Sequence, residues 1–220
     1  MLKIIKDNTM NYVKEAFYPR DIGHAKEICL SPEYGISNKF EKETEATINT
    51  LVSNLYVHND SNVLDFGCGV GRLSKGLIER LGCSVVGVDF SEPMLQAASE
   101  YVYSKKFTPL SSPVSDQNKL ELINKFDTAL AVYVLQHSPT PHEDVQFIYD
   151  SLTDDGKFIF INEKKRFIPV GIDSINSGLI YWDDDGIDVE KIVFDKFNLI
   201  AEHLYPRRFD VKIMVFEKKI

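Results

Sequence analysis

The sequence predicts an α/β protein, a doubly wound and mostly parallel sheet of seven strands whose last strand runs antiparallel. Three observations carry this. Short apolar runs alternate with stretches of helical periodicity along most of the chain, the pattern of strand–helix–strand units around a parallel sheet. Three alternate glycines, Gly67, Gly69 and Gly71, close the first of these runs and open the helix behind it. The two β-like runs near the end of the chain lie too close together to hold a crossover helix, so they must pair antiparallel.

The first strand is residues 63–66, and Val70, Leu73, Leu77, Ile78 and Leu81 follow at helical spacing, with Gly82 placed as a C-cap. Residues 84–90 form a second buried strand, and Ser91 with Pro93 in the first turn starts a helix through Met94, Ala97 and Ala98. A short third strand spans 107–110, and a Ser/Pro-rich loop runs on to Asn118. Residues 127–135 are the interior strand; Thr140, Pro141 and Glu143 then read as a capping box for a helix carrying Val145, Ile148 and Leu152. Asp154, Asp155 and Gly156 turn the chain into a fifth strand at 157–162. A helix follows at 189–197, and strands at 199–204 and 211–217 close the sheet. Two segments stand outside the alternation. Residues 1–58 are expected to form an N-terminal helical cap, with a helix over 42–56 presenting Ile48, Leu51, Val52 and Leu55, ahead of a main domain at 59–220. Residues 163–188 read as a long irregular stretch, the kind of loop that carries function at the carboxyl edge of a parallel sheet.

Composition narrows the function. Of 220 residues, 44% are hydrophobic and 26% charged, which fits a packed protein and excludes disordered or fibrous classes. A net charge of -8 repels phosphate polymers and anionic membranes, so neither nucleic acid nor membrane is expected as a partner. The longest apolar run, 129–135, falls far short of the roughly 20 residues of a membrane span. Lys3, Lys6 and Asp7 interrupt the start of the chain, which leaves no signal peptide and an expected cytoplasmic location. Cys29, Cys68 and Cys83 form no C-x-x-C pair, so they are expected as reduced, mostly buried thiols rather than a zinc or disulfide framework. The acidic run at 183–185 fits no calcium loop, because Tyr181 and Ile192 would stand where acids are needed. No metal site is expected.

Chemistry concentrates at residues 63–73, VLDFGCGVGRL. A strand ending in Gly-x-Gly-x-Gly before a helix allows close backbone approach, with free N–H groups at the helix start facing an anion. The dinucleotide fingerprint has its third glycine three residues after the second, where this chain has Arg72. Asp65, just before the turn, would repel a pyrophosphate but suits a ligand bearing an ammonium group. Asp89 ends the second strand, where a ribose diol is held by two hydrogen bonds. Phe90 and Met94 beside it offer surfaces for a flat purine.

At these residues the chain resembles the class I S-adenosylmethionine (SAM)-dependent methyltransferases of the small-molecule type. The first family motif stands as VLDFGCGVG at 63–71, the second as VGVDFS at 86–91, and the fourth-strand motif runs from Phe126-Asp127 to Val134-Leu135-Gln136-His137. Gly156 to Phe160 matches the strand after the usual turn, with Asp155 replacing a glycine. The resemblance implies a Rossmann-like methyltransferase fold, SAM as methyl donor and S-adenosylhomocysteine as product. It places Asp65 beneath the methionine end, with Gly67, Cys68 and Gly69 along the donor's path. Asp89 falls at the ribose, Phe90 and Met94 at adenine, and backbone near Val132 and Tyr133 at the methionine ammonium. Where the family commonly has an acid after the third strand, Ser111 and Ser112 stand here, with hydroxyls able to accept the adenine amino group.

Methyl transfer is an in-line displacement that needs alignment and exclusion of water, so no catalytic triad is required. Tyr133 and His137 are the candidates for a general base; either also fits a packing role. Tyr12, Tyr18, Arg20 and His24 are candidates to cap an acceptor pocket. Lys164-Lys165-Arg166 and Arg207-Arg208 read as solvated charge or as contacts for an anionic acceptor. The expected acceptor is a small molecule, with the choice of oxygen, nitrogen or carbon open. Methylation of RNA or protein, a nicotinamide-dependent oxidoreductase and a non-catalytic scaffold of the same fold stand as alternatives.

Overall fold

A computed structural model of the chain describes residues 12–30, 38–112, 116–172, 179–182, 186–205 and 208–219. In chain order its strands are β1 (Asn62–Phe66), β2 (Ser84–Asp89), β3 (Phe107–Ser111), β4 (Phe126–Val132), β5 (Leu152–Ile161), β6 (Ile168–Ile172), β7 (Leu179–Trp182), β8 (Phe197–Tyr205) and β9 (Arg208–Lys218). The helices are α1 (Ile22–Cys29), α2 (Lys39–Ser53), α3 (Arg72–Leu81), α4 (Glu92–Val102), α5 (Asp116–Leu122), α6 (Pro141–Ser151) and α7 (Val189–Lys196). Seven strands form one sheet in the order β3-β2-β1-β4-β5-β9-β8. The pairs β1–β2, β1–β4, β2–β3 and β4–β5 are parallel, and β9 lies antiparallel to both β5 and β8. The predicted architecture is therefore observed, with β9 opposing the other six strands.

Both faces of the sheet are buried, and the two-residue period of the strands divides the core. On one face Val63, Leu130, Ile159, Ile161, Ile213 and Val215 meet Ile48 and Leu51 of α2, Leu73 and Leu77 of α3, and Leu95 and Ala98 of α4. On the other, Leu64, Phe66, Phe158, Phe160 and Phe216 meet Val145 and Ile148 of α6 and Ile192 and Val193 of α7. Here Phe158 packs on Phe197 with ring centroids 5.1 Å apart, and Phe194 on Phe216 at 5.3 Å. Asp65 shares the α3 face with Val63, so the period places a carboxylate where a core residue belongs.

Local signals account for the helix limits. Ser91 Oγ accepts from the Met94 N–H at 3.3 Å at the start of α4, Asp188 caps α7 in the same way at 3.0 Å, and Gly82 ends α3 in the left-handed conformation, φ 71°. Several boundaries differ from expectation, each for a local reason. Helix α2 ends earlier than predicted: Leu55 has φ 56° and is exposed rather than part of the buried face. Helix α5 begins at Asp116, inside the predicted loop. Strand β4 ends at Val132 because Tyr133, with φ 58°, turns the chain into a short 3-10 helix, Leu135–His137. The capping box of α6 is not formed, since Thr140 makes no side-chain cap bond; Ser138 Oγ instead accepts from the Thr140 N–H and donates to Asp144. Asp154 to Gly156 lie within β5, at a register irregularity against β4. The stretch predicted as irregular contains a two-stranded antiparallel ribbon, β6–β7. Among the described residues no helix is long and apolar enough to cross a membrane.

Leu64, fully buried in β1 between two neighbouring strands, tests this core: Leu64→Ala should cost about 2–5 kcal/mol, read from denaturant unfolding of the two proteins.

Candidate functional site

The strand order reverses between β1 and β4, the switch point where open α/β sheets bind ligands. A cavity of about 660 Å³ lies there, beyond the carboxyl ends of β1, β2 and β4. Its floor is the loop from β1 into α3. Gly67 and Gly69 have φ of 68° and 55°, in the left-handed region that disfavours a side chain. A Cβ on Gly67 would lie 2.3 Å from Val134 Cγ2, and one on Gly69 2.4 Å from Cys29 Sγ, so close packing demands glycine at both.

The amides of this loop are turned to the protein. Gly67 and Cys68 both donate to Val88 O, Gly71 donates to Cys68 O, and Val70 donates to Cys29 Sγ at 3.3 Å. Gly69 donates to Asp89 Oδ2 at 3.0 Å. The expectation of free N–H groups facing an anion is thus corrected: the donors a phosphate would need are already engaged, one of them by a carboxylate.

The cavity is instead lined by acids. Asp89 is buried and accepts from the Ser91 N–H at 3.0 Å as well as from Gly69. Burial pushes its pKa up to about 6 against these hydrogen bonds. Asp65, 3% exposed, accepts from Ser74 Oγ at 2.6 Å; burial raises its pKa, with the Ser74 bond and the charge of Arg72 opposing. Asp144 of α6 reaches the same cavity and is also pushed up to about 6 by burial, against the Ser138 bond. A cationic ligand would favour the ionised form of all three acids, which fits a sulfonium and ammonium donor and not a pyrophosphate.

Residues 12–17 roof the cavity. Tyr12 and Phe17 pack edge-on to Phe90 at 5.9 and 5.6 Å, and Phe17 meets the His137 ring at 5.4 Å. Two hydrogen bonds anchor this strap: Ser91 Oγ donates to Phe17 O at 2.9 Å, and the Val13 N–H donates to Pro169 O of β6 at 2.9 Å. Burial raises the pKa of the Tyr12 phenol, with Asp89 and Asp144 adding to the effect.

The opposite wall is a polar network. Gln136 Oε1 accepts from the Glu163 N–H at 2.6 Å, which orients the Gln136 amide so that Nε2 donates to His137 Nε2 at 3.2 Å. His137 Nδ1 then carries the proton and donates to Phe167 O at 2.6 Å, while burial lowers the pKa of the ring. Arg166 is buried and donates to Leu135 O at 3.1 Å and Ser138 O at 2.8 Å, so it braces this wall instead of forming surface charge with Lys164 and Lys165.

Asp65, Gly67, Cys68, Gly69, Asp89, Phe90, Met94, Ser112, Val132, Tyr133 and His137 all line the one cavity. Ser111 does not; it lies beside the first turn of α4 with Glu92 and Pro93. Of the proposed cap residues, Tyr12 lines the cavity, Tyr18 is exposed, and His24 Nδ1 accepts from the Arg20 N–H at 3.1 Å at the start of α1. The Arg207 position and residues 183–185 lie outside the described residues, as does the Arg208 side chain. The cavity also takes in Phe17, Cys29, Glu43, Arg72 and Asp144, which sequence reasoning did not place there. Arg72 had a signal, since it follows the last glycine of the loop; the others come from helices and a strap without motifs.

The chain is similar in sequence and in fold to known methyltransferases. Residues 64–158 match the model of a methyltransferase domain family. The chain is 31% identical over 116 residues to carboxy-S-adenosyl-L-methionine synthase of Pseudoalteromonas atlantica, covering 50% of this chain and 47% of that one. It is 30% identical over 122 residues to ubiquinone biosynthesis O-methyltransferase of Glaesserella parasuis, covering 50% and 51%. The chain thus spans about half the length of these curated relatives. Among solved structures it resembles magnesium protoporphyrin IX methyltransferase of Synechocystis PCC 6803 with bound SAM, with a TM-score of 0.60, 22% identity and 94% and 95% of the two chains covered.

Gly67→Ala should destabilise the protein by about 1–3 kcal/mol through overpacking against Val134, measured by thermal unfolding. Asp89 has a raised pKa, about 6 against the ordinary 3.8, so between these values the folded chain holds a proton that the unfolded chain has released. Its contribution to stability therefore falls as pH rises from about 4 to about 6, by about 3 kcal/mol at 1.36 kcal/mol per unit, and stays lost above. Unfolding free energies of wild type and Asp89→Asn across pH 4–7 should differ by this slope.

Proposed function

We propose that this chain, in which residues 64–158 match a methyltransferase domain family, is a class I SAM-dependent methyltransferase that binds SAM in the cavity at the β1–β4 switch point and methylates a small molecule there. One observation carries the reading: Asp65 and Asp89 face a single cavity whose glycine loop has its amides engaged. That arrangement suits a nucleoside with a cationic amino-acid tail and opposes a dinucleotide.

The residues present divide the donor between them. Asp65 lies at the amino-acid end, with Gly67, Cys68 and Gly69 along the path and backbone near Val132 and Tyr133 for the ammonium. Asp89 takes the ribose hydroxyls, since its carboxylate has acceptor capacity beyond the hydrogen bonds from the Gly69, Ser91 and Phe90 amides. Phe90, Met94 and Ser112 surround the purine position. Bound there, SAM would supply a sulfonium methyl that an acceptor nucleophile attacks in line, the new bond to the methyl carbon forming as the S–CH3 bond breaks and S-adenosylhomocysteine leaves.

What the protein adds is alignment and a dry site. Tyr12 and Phe17 cover the donor side and keep water from it. His137 has both ring nitrogens committed within the wall, so it positions Gln136 and the 163–167 segment and is not the base. Tyr133, whose left-handed backbone brings it to the cavity where β4 ends, remains the candidate to accept a proton. A cavity of about 660 Å³ is of small-molecule size, and the names of the relatives, ubiquinone biosynthesis among them, support a small acceptor.

S-adenosylhomocysteine should raise the melting temperature while NADH leaves it unchanged, because only a ligand of the native state stabilises it. Asp89→Ala should weaken S-adenosylhomocysteine binding about 10- to 150-fold, the loss of charge-assisted hydrogen bonds; unchanged affinity would overturn the ribose assignment. With radiolabelled methyl donor and fractionated cell extract, label should enter small metabolites rather than RNA or protein.

A further inference from the structure

We infer that Glu43 is the residue that holds the acceptor, and that the acceptor is a small amine. The inference rests on the SAM reading and adds to it the chemical class of the molecule that is methylated.

Glu43 stands where α2 should be apolar. The buried stripe of this helix is Phe40, Glu43, Thr47, Ile48 and Leu51, and its other large side chains are hydrocarbon. A carboxylate in that stripe, only 4% exposed, loses hydration that packing does not return. Its partner is neutral: Tyr205 Oη donates to Glu43 Oε2 at 3.0 Å. Glu43 forms no ion pair with any described residue; the charges of Arg72 and Glu43 act on the Tyr205 phenol in opposite senses, yet Arg72 bonds to Thr44. Every polar side-chain atom sealed within the described residues has a partner, so the oxygen that Tyr205 does not serve is open to the cavity that Glu43 lines.

The sheet order puts this acid away from the purine. Phe90 and Ser112 lie at the ends of β2 and β3, on one flank of β1, whereas β4 to β8 make up the other flank. Tyr205 ends β8, which β9 makes parallel to β5, so it reaches the same carboxyl edge from that second flank. There its ring meets Tyr133, at the end of β4, edge-on at 5.6 Å. The donor reading occupies Asp65 and Asp89 and leaves Glu43 over. A buried carboxylate without a counter-charge calls for a cation, and aromatic faces nearby attract an ammonium. An alcohol would fill one lone pair and leave the charge unmet, and an anion would be repelled. An amine brings both N–H donors and positive charge.

The test splits the small-molecule fraction of a cell extract on a cation exchanger at neutral pH and offers each part to the wild type with radiolabelled SAM. Label should enter the retained, cationic part. Glu43→Gln should cut that transfer about 10- to 150-fold while leaving the calorimetric affinity for S-adenosylhomocysteine unchanged, and Glu43→Asp should keep part of the transfer. Label entering only the unretained part overturns the inference and needs no variant to fold; the acceptor would then be neutral, or an anion met by Lys14 and Lys119 at the exposed rim. Undiminished transfer by Glu43→Gln also overturns it. So does an equal loss of transfer and of S-adenosylhomocysteine affinity, since Glu43 would then serve the donor or only brace α2 against Tyr205. Label in neither part, with S-adenosylhomocysteine bound, overturns the amine acceptor, and a folded wild type that does not bind S-adenosylhomocysteine overturns the SAM reading itself.

Discussion

The site depends on one hydrogen bond, from the Gly69 amide to the Asp89 carboxylate. It joins the loop after β1 to the tip of β2, and it solves two problems together. The loop must fold through left-handed backbone, leaving an amide inside the protein that needs an acceptor. The acid must be buried at a strand end, and burial is tolerable only with donors on its oxygens. Each group answers the other, and the Ser91 amide supplies the second donor. Since the loop directs its amides inward, the electrostatic character of the cavity comes from side chains, above all Asp65, Asp89 and Asp144. A loop of the same outline with outward amides would present donors for a phosphate; this one has them engaged within the protein.

The walls follow the same economy of shared residues. Ser91 caps α4 through its oxygen and tethers the strap through its proton, so the helix that carries Met94 and the roof that carries Phe17 meet at one hydroxyl. On the far side, Gln136, His137, Arg166 and the backbone of 163–167 form a connected set of donors and acceptors. That set explains a histidine after the fourth strand without acid–base chemistry: with Nδ1 giving its proton to Phe167 O and Nε2 accepting from Gln136, the imidazole works as a strut.

Much of this was readable in the sequence, and the reasons are specific. The strands of the parallel sheet are short apolar runs bounded by glycine or by cap residues such as Ser91, and the loop acids stand at fixed distances from those boundaries. Asp65 and Asp89 could therefore be placed on residues alone. What could not be read depended on contacts remote in sequence. The β6–β7 ribbon pairs two short runs, and the first carries Pro169 and Gly171, residues that argue against a strand, so its pairing leaves little local signature. Tyr12 and Phe17 sit in a segment whose position is set by Ser91 and Pro169, and nothing near them in the chain announces it. The capping box of α6 failed because Ser138, outside the motif, bonded to Asp144 first. Arg166 looked like surface charge because its partners are carbonyls, which carry no signal by residue type.

The bond from Val13 to Pro169 also bears on the order in which the molecule is assembled. During synthesis the amino-terminal strap leaves the ribosome well before β6 exists, so its Pro169 anchor is missing until most of the polypeptide has been made, although Phe90 and Ser91 emerge earlier. The sheet and both helical layers can gather around β1 and β4 first, with the roof settling last over a nearly finished scaffold. Ligand competence would then be the final property acquired on the way to the native state, and the first surrendered when the strap detaches.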